Sequence, residues 1–152
     1  MIMIANSKKT QPNVLLVDDK DDNLFSLSNI LRDETCHVLI SKSGKECLNL
    51  MLKQEIACIL LDIQMPEIDG FMVAKTIRQT NKNTPIVFVT AYDITHEQSK
   101  LGFELGILDY LIKPLSPNIV RAKVMMYCKL YQTNKEVEQL RNQNGIINDT
   151  KK

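Results

Sequence analysis

Four short aliphatic runs in this 152-residue chain each break off at a polar residue of distinct chemistry. Val14 to Val17 runs into Asp18-Asp19, Ile59 to Leu61 into Asp62, Ile86 to Val89 into Thr90, and Leu111-Ile112 into Lys113-Pro114. Continuously apolar runs of this length suit strands covered on both faces. Their alternation with longer amphipathic stretches predicts repeated βα units around a parallel sheet. In open α/β sheets ligand chemistry collects at the carboxyl ends of strands, so one edge would gather three carboxylates, a hydroxyl and an ammonium group.

Five units can be counted from Asn13 onward. Val14–Val17 is the first strand, followed by a helix from about Asp22 with Leu24, Leu27, Ile30 and Leu31 on a 3.6-residue period. Cys36 to Ile40 reads as the second strand, and Gly44 to about Gln54 as a helix with Cys47, Leu48, Met51 and Leu52 inward. Ile56 to Leu61, the most hydrophobic run, is the expected central strand. A third helix covers Phe71 to Gln79, with Val73, Ala74 and Ile77 apolar, and Pro85 opens the fourth strand. Thr95 caps a fourth helix that stops at Gly106, and Leu108 to Ile112 is the fifth strand. The last helix starts near Pro117 and runs to about Asn144, far longer than the others.

A composition of 44% hydrophobic and 24% charged residues suits one globular domain with an appendage, and a net charge of +1 provides no global field toward nucleic acid or an anionic membrane. No segment approaches the roughly 20 uninterrupted apolar residues of a membrane span. The apolar start before Lys8 is too short for a signal-peptide core, so residues 1–12 read as a loose tail and the protein as cytoplasmic. Cys36, Cys47, Cys58 and Cys128 are scattered, with no CxxC pair and no His at ligand spacing, which disfavours zinc and thioredoxin-like chemistry and predicts reduced thiols. His37 and His96 are isolated, and neither nucleotide-binding glycine motif occurs.

Asp18, Asp19 and Asp62 crowded into one crevice would repel by roughly 4 kcal/mol per pair at about 4 Å and an effective dielectric of about 20. A hard cation with an oxygen-rich shell relieves that, and Mg²⁺ suits a site with one side open to water and phosphate oxygens. The backbone carbonyl of Gln64 can add another oxygen. A carboxylate beside Mg²⁺ can accept a phosphoryl group as a nucleophile. Lys113 offers a point charge and Thr90 a hydroxyl donor for the phosphoryl oxygens. Any one of these residues alone would read as a cap or turn former. Capping needs do not predict a Lys on one strand end and carboxylates on two others.

These residues resemble the receiver domain of two-component response regulators. Leu16-Val17-Asp18-Asp19 is similar to the family's acidic pair, Leu61 to Gly70 to its phosphoacceptor loop, and Val89-Thr90-Ala91 and Lys113-Pro114 to its switch segments. The resemblance covers about residues 13–131, with 132–152 left as a helical extension. It implies a doubly wound, flavodoxin-like α/β fold, five parallel strands in the order 2-1-3-4-5 flanked by five helices. It further implies phosphorylation of Asp62, with Asp19 a direct Mg²⁺ ligand, Asp18 a water-mediated one, and Asp62 and the Gln64 carbonyl completing the set. Thr90, Ala91 and Lys113 would hold the phosphoryl group. Gly106 to Leu111 is similar to the segment bearing an aromatic switch, which makes Tyr110 the residue that swings inward when Thr90 engages phosphate. Tyr92 falls near the solvent side of the phosphate, where it bears on phosphoryl lifetime. The implied partner is a histidine kinase or a histidine phosphotransfer protein, and the domain would be a switch, not a conventional turnover enzyme.

Leu130, Thr133, Val137, Leu140, Asn144 and Ile147 follow alternating spacings of three and four, a short heptad seam that Gly145 would interrupt. Leu130, Val137 and Leu140 are thus candidates for a parallel dimer seam, with the face of the fourth helix, fifth strand and fifth helix a second candidate surface. Two other classes of function remain open at this point: a Mg²⁺-dependent phosphohydrolase with Asp62 as nucleophile, and a structural interaction domain that is never phosphorylated. The first usually needs a second Asp two residues on, where this chain has Gln64.

Overall fold

A computed structural model describes residues 10–32, 34–66, 69–91, 93–107 and 109–149, with side chains through Asn144. The elements alternate strictly: β1 (Asn13–Val17), α1 (Asp21–Leu31), β2 (His37–Ser41), α2 (Gly44–Lys53), β3 (Cys58–Asp62), α3 (Gly70–Thr80), β4 (Ile86–Thr90), α4 (His96–Glu104), β5 (Asp109–Ile112) and α5 (Pro117–Asp149). All strand pairs are parallel, in the order β2-β1-β3-β4-β5, as expected.

The continuous apolar strands have the expected cause. Every residue of β3 and β4 is buried, because helices cover both faces of the sheet. Alternation along the strands splits the core in two. Val14, Leu16, Cys58, Leu60, Val87 and Val89 face α1 and α5. Leu15, Val17, Ile59, Leu61 and Phe88 face α2 and α3. Each such side chain contributes about 1.5–3 kcal/mol by leaving water, enough that a one-residue slip of a central strand would be prohibitive.

Helix ends are set locally. Ser43 caps α2 by accepting from Glu46 N–H at 3.1 Å, and Asp69 caps α3 through Phe71 N–H at 3.0 Å. Thr95 and Gln98 form a reciprocal capping box on α4, as the sequence suggested for Thr95. At the other end Gly106, at φ 75°, closes a Schellman turn in which Ile107 N–H donates to Gly102 O and Gly106 N–H to Phe103 O.

Three expectations need correction. Leu52 is 82% exposed, not inward. At about 100° per residue it lies about 140° around α2 from buried Cys47, too far to reach the sheet. β2 and β3 begin at His37 and Cys58, so Cys36 and Ile56 are buried approach residues, not strand. Finally, α5 continues through Gly145 to Asp149, past the expected stop near Asn144. Tyr92, Leu108 and the side chain of Ile147 lie outside the described residues, as does most of the N-terminal tail. Among the described residues no helix is long and apolar enough to cross a membrane.

Candidate functional site

The β1, β3 and β4 carboxyl ends and the segment after β5 meet above the sheet. Asp18 and Asp62 are 2% and 4% exposed, so their charges sit in a low-dielectric crevice, not in bulk water. Carboxylate oxygens of Asp18, Asp19 and Asp62 lie within 4.8 Å of one another. Lys113 brings its Nζ to 3.9 Å from Asp18 Oδ2 and 4.0 Å from Asp62 Oδ2. The expected quartet of charges is therefore assembled.

Local backbone geometry aims these groups. Lys20 N–H donates to Asp18 Oδ1 at 3.0 Å and Gln64 N–H to Asp62 Oδ1 at 2.9 Å, so each carboxylate is held by the amide two residues on. Thr90 ends β4 with a buried side chain, and its carbonyl accepts from Lys113 N–H at 2.8 Å. Thr90 and Lys113 are thereby coupled through the β4–β5 ladder, and exposed Ala91 follows at once. The Lys113–Pro114 peptide is cis. Beneath the crevice, a Cβ on Gly70 would stand 2.5 Å from Ile63 Cα and 2.8 Å from Asp62 O. Only glycine lets α3 begin this close to the acidic loop.

The donor set fits a hard divalent cation. Asp19 Oδ1 is buried without a hydrogen-bond partner. A buried acceptor left unpaired costs about 1–3 kcal/mol, more when charged, and an oxygen-seeking ion is the natural relief.

Tyr110 stands inward. Its ring packs edge-on against Phe88 at a centroid distance of 5.8 Å, and Phe88 packs in turn on Phe71 at 4.8 Å. The phenol oxygen is buried, has no hydrogen-bond partner, and occupies the space a Cβ at Gly102 would need. Burial pushes its pKa up.

Two polar clusters escaped the sequence. Asp109 accepts from both Lys123 Nζ and Tyr127 Oη, the latter at 2.9 Å, which ties the start of β5 to α5. Glu55, just before β3, accepts from Tyr131 Oη and Lys135 Nζ, each at 2.6 Å. Lys135 first, then Tyr131, holds the Glu55 carboxyl below its ordinary range. Burial, reinforced by Asp109 and Glu55 respectively, raises the Tyr127 and Tyr131 phenols. The available signal was the row Lys123, Tyr127, Tyr131, Lys135 at four-residue spacing, which puts four polar-tipped side chains along one side of α5.

Wound parallel sheet, acidic crevice and apposed lysine define a receiver-type α/β domain. The family model for the response regulator receiver domain matches residues 14–125, and the chain belongs to that family. Over 116 residues it is 37% identical to the transcriptional regulatory protein SrrA of Staphylococcus aureus, covering 74% of this chain and 47% of that protein. The chain thus spans about half the length of the curated relatives it matches. Among solved structures, the receiver domain of Francisella response regulator 1452 aligns with a TM-score of 0.70 and 30% identity, covering 78% of this chain and 97% of that one. A two-component response regulator from Clostridium difficile gives 0.71 and 27%, with 78% and 97% covered. This chain is therefore a response regulator receiver domain, a phosphorylation-dependent signalling module.

Proposed function

We propose that Asp62 accepts the phosphoryl group, from a histidine kinase or a histidine phosphotransfer protein, in a crevice that holds Mg²⁺ through Asp18, Asp19, Asp62 and the Gln64 carbonyl. The observation that carries this is the convergence of three carboxylates within 4.8 Å beside an ammonium group 4.0 Å from Asp62. When bound, Mg²⁺ would neutralise phosphoryl oxygens and orient them for attack. An Asp62 carboxylate oxygen forms the new bond to phosphorus, and the donor nitrogen leaves on the opposite side. Lys113, now paired to Asp18 and Asp62, shifts to the added phosphoryl oxygens, and the Thr90 hydroxyl and Ala91 N–H donate to the others.

Two charge-assisted hydrogen bonds at about 1.5–3 kcal/mol each supply much of the roughly 5.5 kcal/mol that moves a two-state equilibrium from 1:99 to 99:1. The coupled element is Tyr110. Tyr110 already takes its inward seat with an unpaired phenol, so modest energies can bias it, and engagement of Thr90 would hold it there at the expense of an outward position. The affected surface is that of α4, β5 and α5, where Phe103, Ile112, Ile119 and Met126 are exposed apolar groups. That face, or the seam of exposed Leu130, Val137 and Leu140, would take a second copy or an output partner. In this scheme residues 13–131 are the switch and the rest of α5 a connector. The domain works in the cytoplasm and turns over only its own phosphoryl bond. A phosphohydrolase would need an acid/base where Gln64 stands.

Labelling with radioactive acetyl phosphate and Mg²⁺, followed by peptide mapping, tests the scheme. Label should fall on Asp62, vanish in Asp62→Asn, and require Mg²⁺. Label retained by Asp62→Asn, or steady release of phosphate from small organic phosphates, would refute it.

A further inference from the structure

α4 meets the rest of the domain through a residue with no side chain. Gly102 is the buried residue of this helix, while its neighbours Leu101 and Phe103 are exposed. A surface helix ordinarily buries a stripe of apolar side chains, and here bare backbone takes that place. Alanine outranks glycine inside a helix, so Gly102 works against its own element. Nor does the backbone require it: Gly106 is the glycine at positive φ among the described residues, and Gly102 lies within regular helix.

The reason stands opposite. A Cβ on Gly102 would run into Tyr110 Oη, whereas its next neighbours, Tyr110 Cζ at 3.4 Å and Ile107 Cβ at 3.7 Å, are at ordinary contact distance. One hydroxyl oxygen therefore fills the place of the missing methyl. Both walls of this notch are tied down. Arg78 Nε donates to the Leu105 carbonyl at 2.7 Å, and its Nη1 to those of Thr84 and Asn81 at 2.8 and 3.2 Å, which latches the end of α4 to α3. Ile107 N–H closes the turn on the Gly102 carbonyl at 2.8 Å. On β5, Tyr110 pairs in register with Phe88, and its amide donates to Asp109 Oδ1 at 2.9 Å. The part left free to move is the Tyr110 side chain.

We propose that Gly102 is a positioning residue of the switch, whose missing side chain sets the resting seat of Tyr110 inward before any phosphoryl group arrives. This rests on the reading of Asp62 as phosphoacceptor and of Tyr110 as the coupled element. Engagement of Thr90 then locks a seat already taken and does not have to draw the ring in. An alanine at this position reverses the bias. The obstructing atom is the tip of a side chain that turns between staggered rotamers, so the ring leaves its contact with Phe88 and swings toward solvent while the fold stays intact. The phenol has no hydrogen-bond partner inside to hold it back, and water outside supplies one.

The test uses the unphosphorylated full chain as wild type, Gly102→Ala, Tyr110→Phe and the double variant. N-acetylimidazole acetylates accessible phenols, and peptide mapping by mass spectrometry reads each tyrosine. Tyr110 should be protected in the wild type and react about tenfold or more faster in Gly102→Ala, with Tyr127 and Tyr131 unchanged. In thermal melts, Gly102→Ala should raise Tm by about 2–4 °C in the Tyr110→Phe background, where the obstructing oxygen is gone, and give no gain in the wild-type background. A reactive Tyr110 in the wild type, an unchanged Tyr110 rate in Gly102→Ala, or the same Tm change in both backgrounds would overturn the proposal. Failure of Asp62 to take label from acetyl phosphate would instead sink the phosphoacceptor reading, because neither measurement here uses a phosphoryl group.

Discussion

The two edges of the one sheet treat charge in opposite ways. At the carboxyl edge one lysine stands against three acids, 3.9 and 4.0 Å from Asp18 and Asp62, and one Asp19 oxygen has no partner. At the amino edge two acids are matched: Asp109 by Lys123 and Tyr127, Glu55 by Lys135 and Tyr131. The difference separates a place built to receive from a place built to hold. Unmatched charge in a buried crevice stores free energy that a cation or phosphoryl group can release, whereas matched charge has nothing left to give except rigidity.

Removing the more deeply buried of the matched acids should do the most damage. Asp109→Asn leaves Lys123 half-buried without its counter-charge and should lower unfolding free energy by about 2–3 kcal/mol, read from urea denaturation. At the unmatched edge the sign reverses. Asp19→Asn removes like-charge repulsion and should raise stability by about 1–2 kcal/mol without metal, while abolishing the stabilisation that added Mg²⁺ gives the wild type in thermal melts. Between the edges, Tyr110→Phe deletes the unpaired buried hydroxyl and should raise stability by about 1 kcal/mol, with the ring remaining on Phe88. The smallest effect belongs to exposed Glu55. Its folded pKa lies below the ordinary 4.5, so its contribution is present above that pH and is lost as pH falls through the lower folded value. Solvent screening keeps it under about 1 kcal/mol, and the stability curves of wild type and Glu55→Gln should converge in acid.

The carboxyl edge was legible in the sequence because each of its groups follows directly on an apolar strand, so a local pattern fixes a position in space. Asp18, Asp19, Asp62, Thr90 and Lys113 are all found this way. The amino edge was not legible, since Glu55 meets its partners across 76 and 80 residues and no local pattern records which helix will lie over which strand. Gly102 was invisible as well: its value lies in the absence of a side chain where Tyr110 rests, and absence has no periodicity. Leu52 misled because an apolar residue at the margin of a helical stripe looks the same in sequence whether or not a sheet extends beneath it.

The unbroken span of α5 has a mechanical meaning. From Lys135 to Asp149 the helix runs on about 21 Å past its contact with Glu55. With that anchor as fulcrum, a tilt of only about 5° would sweep the far end through about 2 Å, the scale on which helices slide at interfaces. A lever of this kind turns a shift too small to notice beside Asp109 into a far larger displacement at its tip.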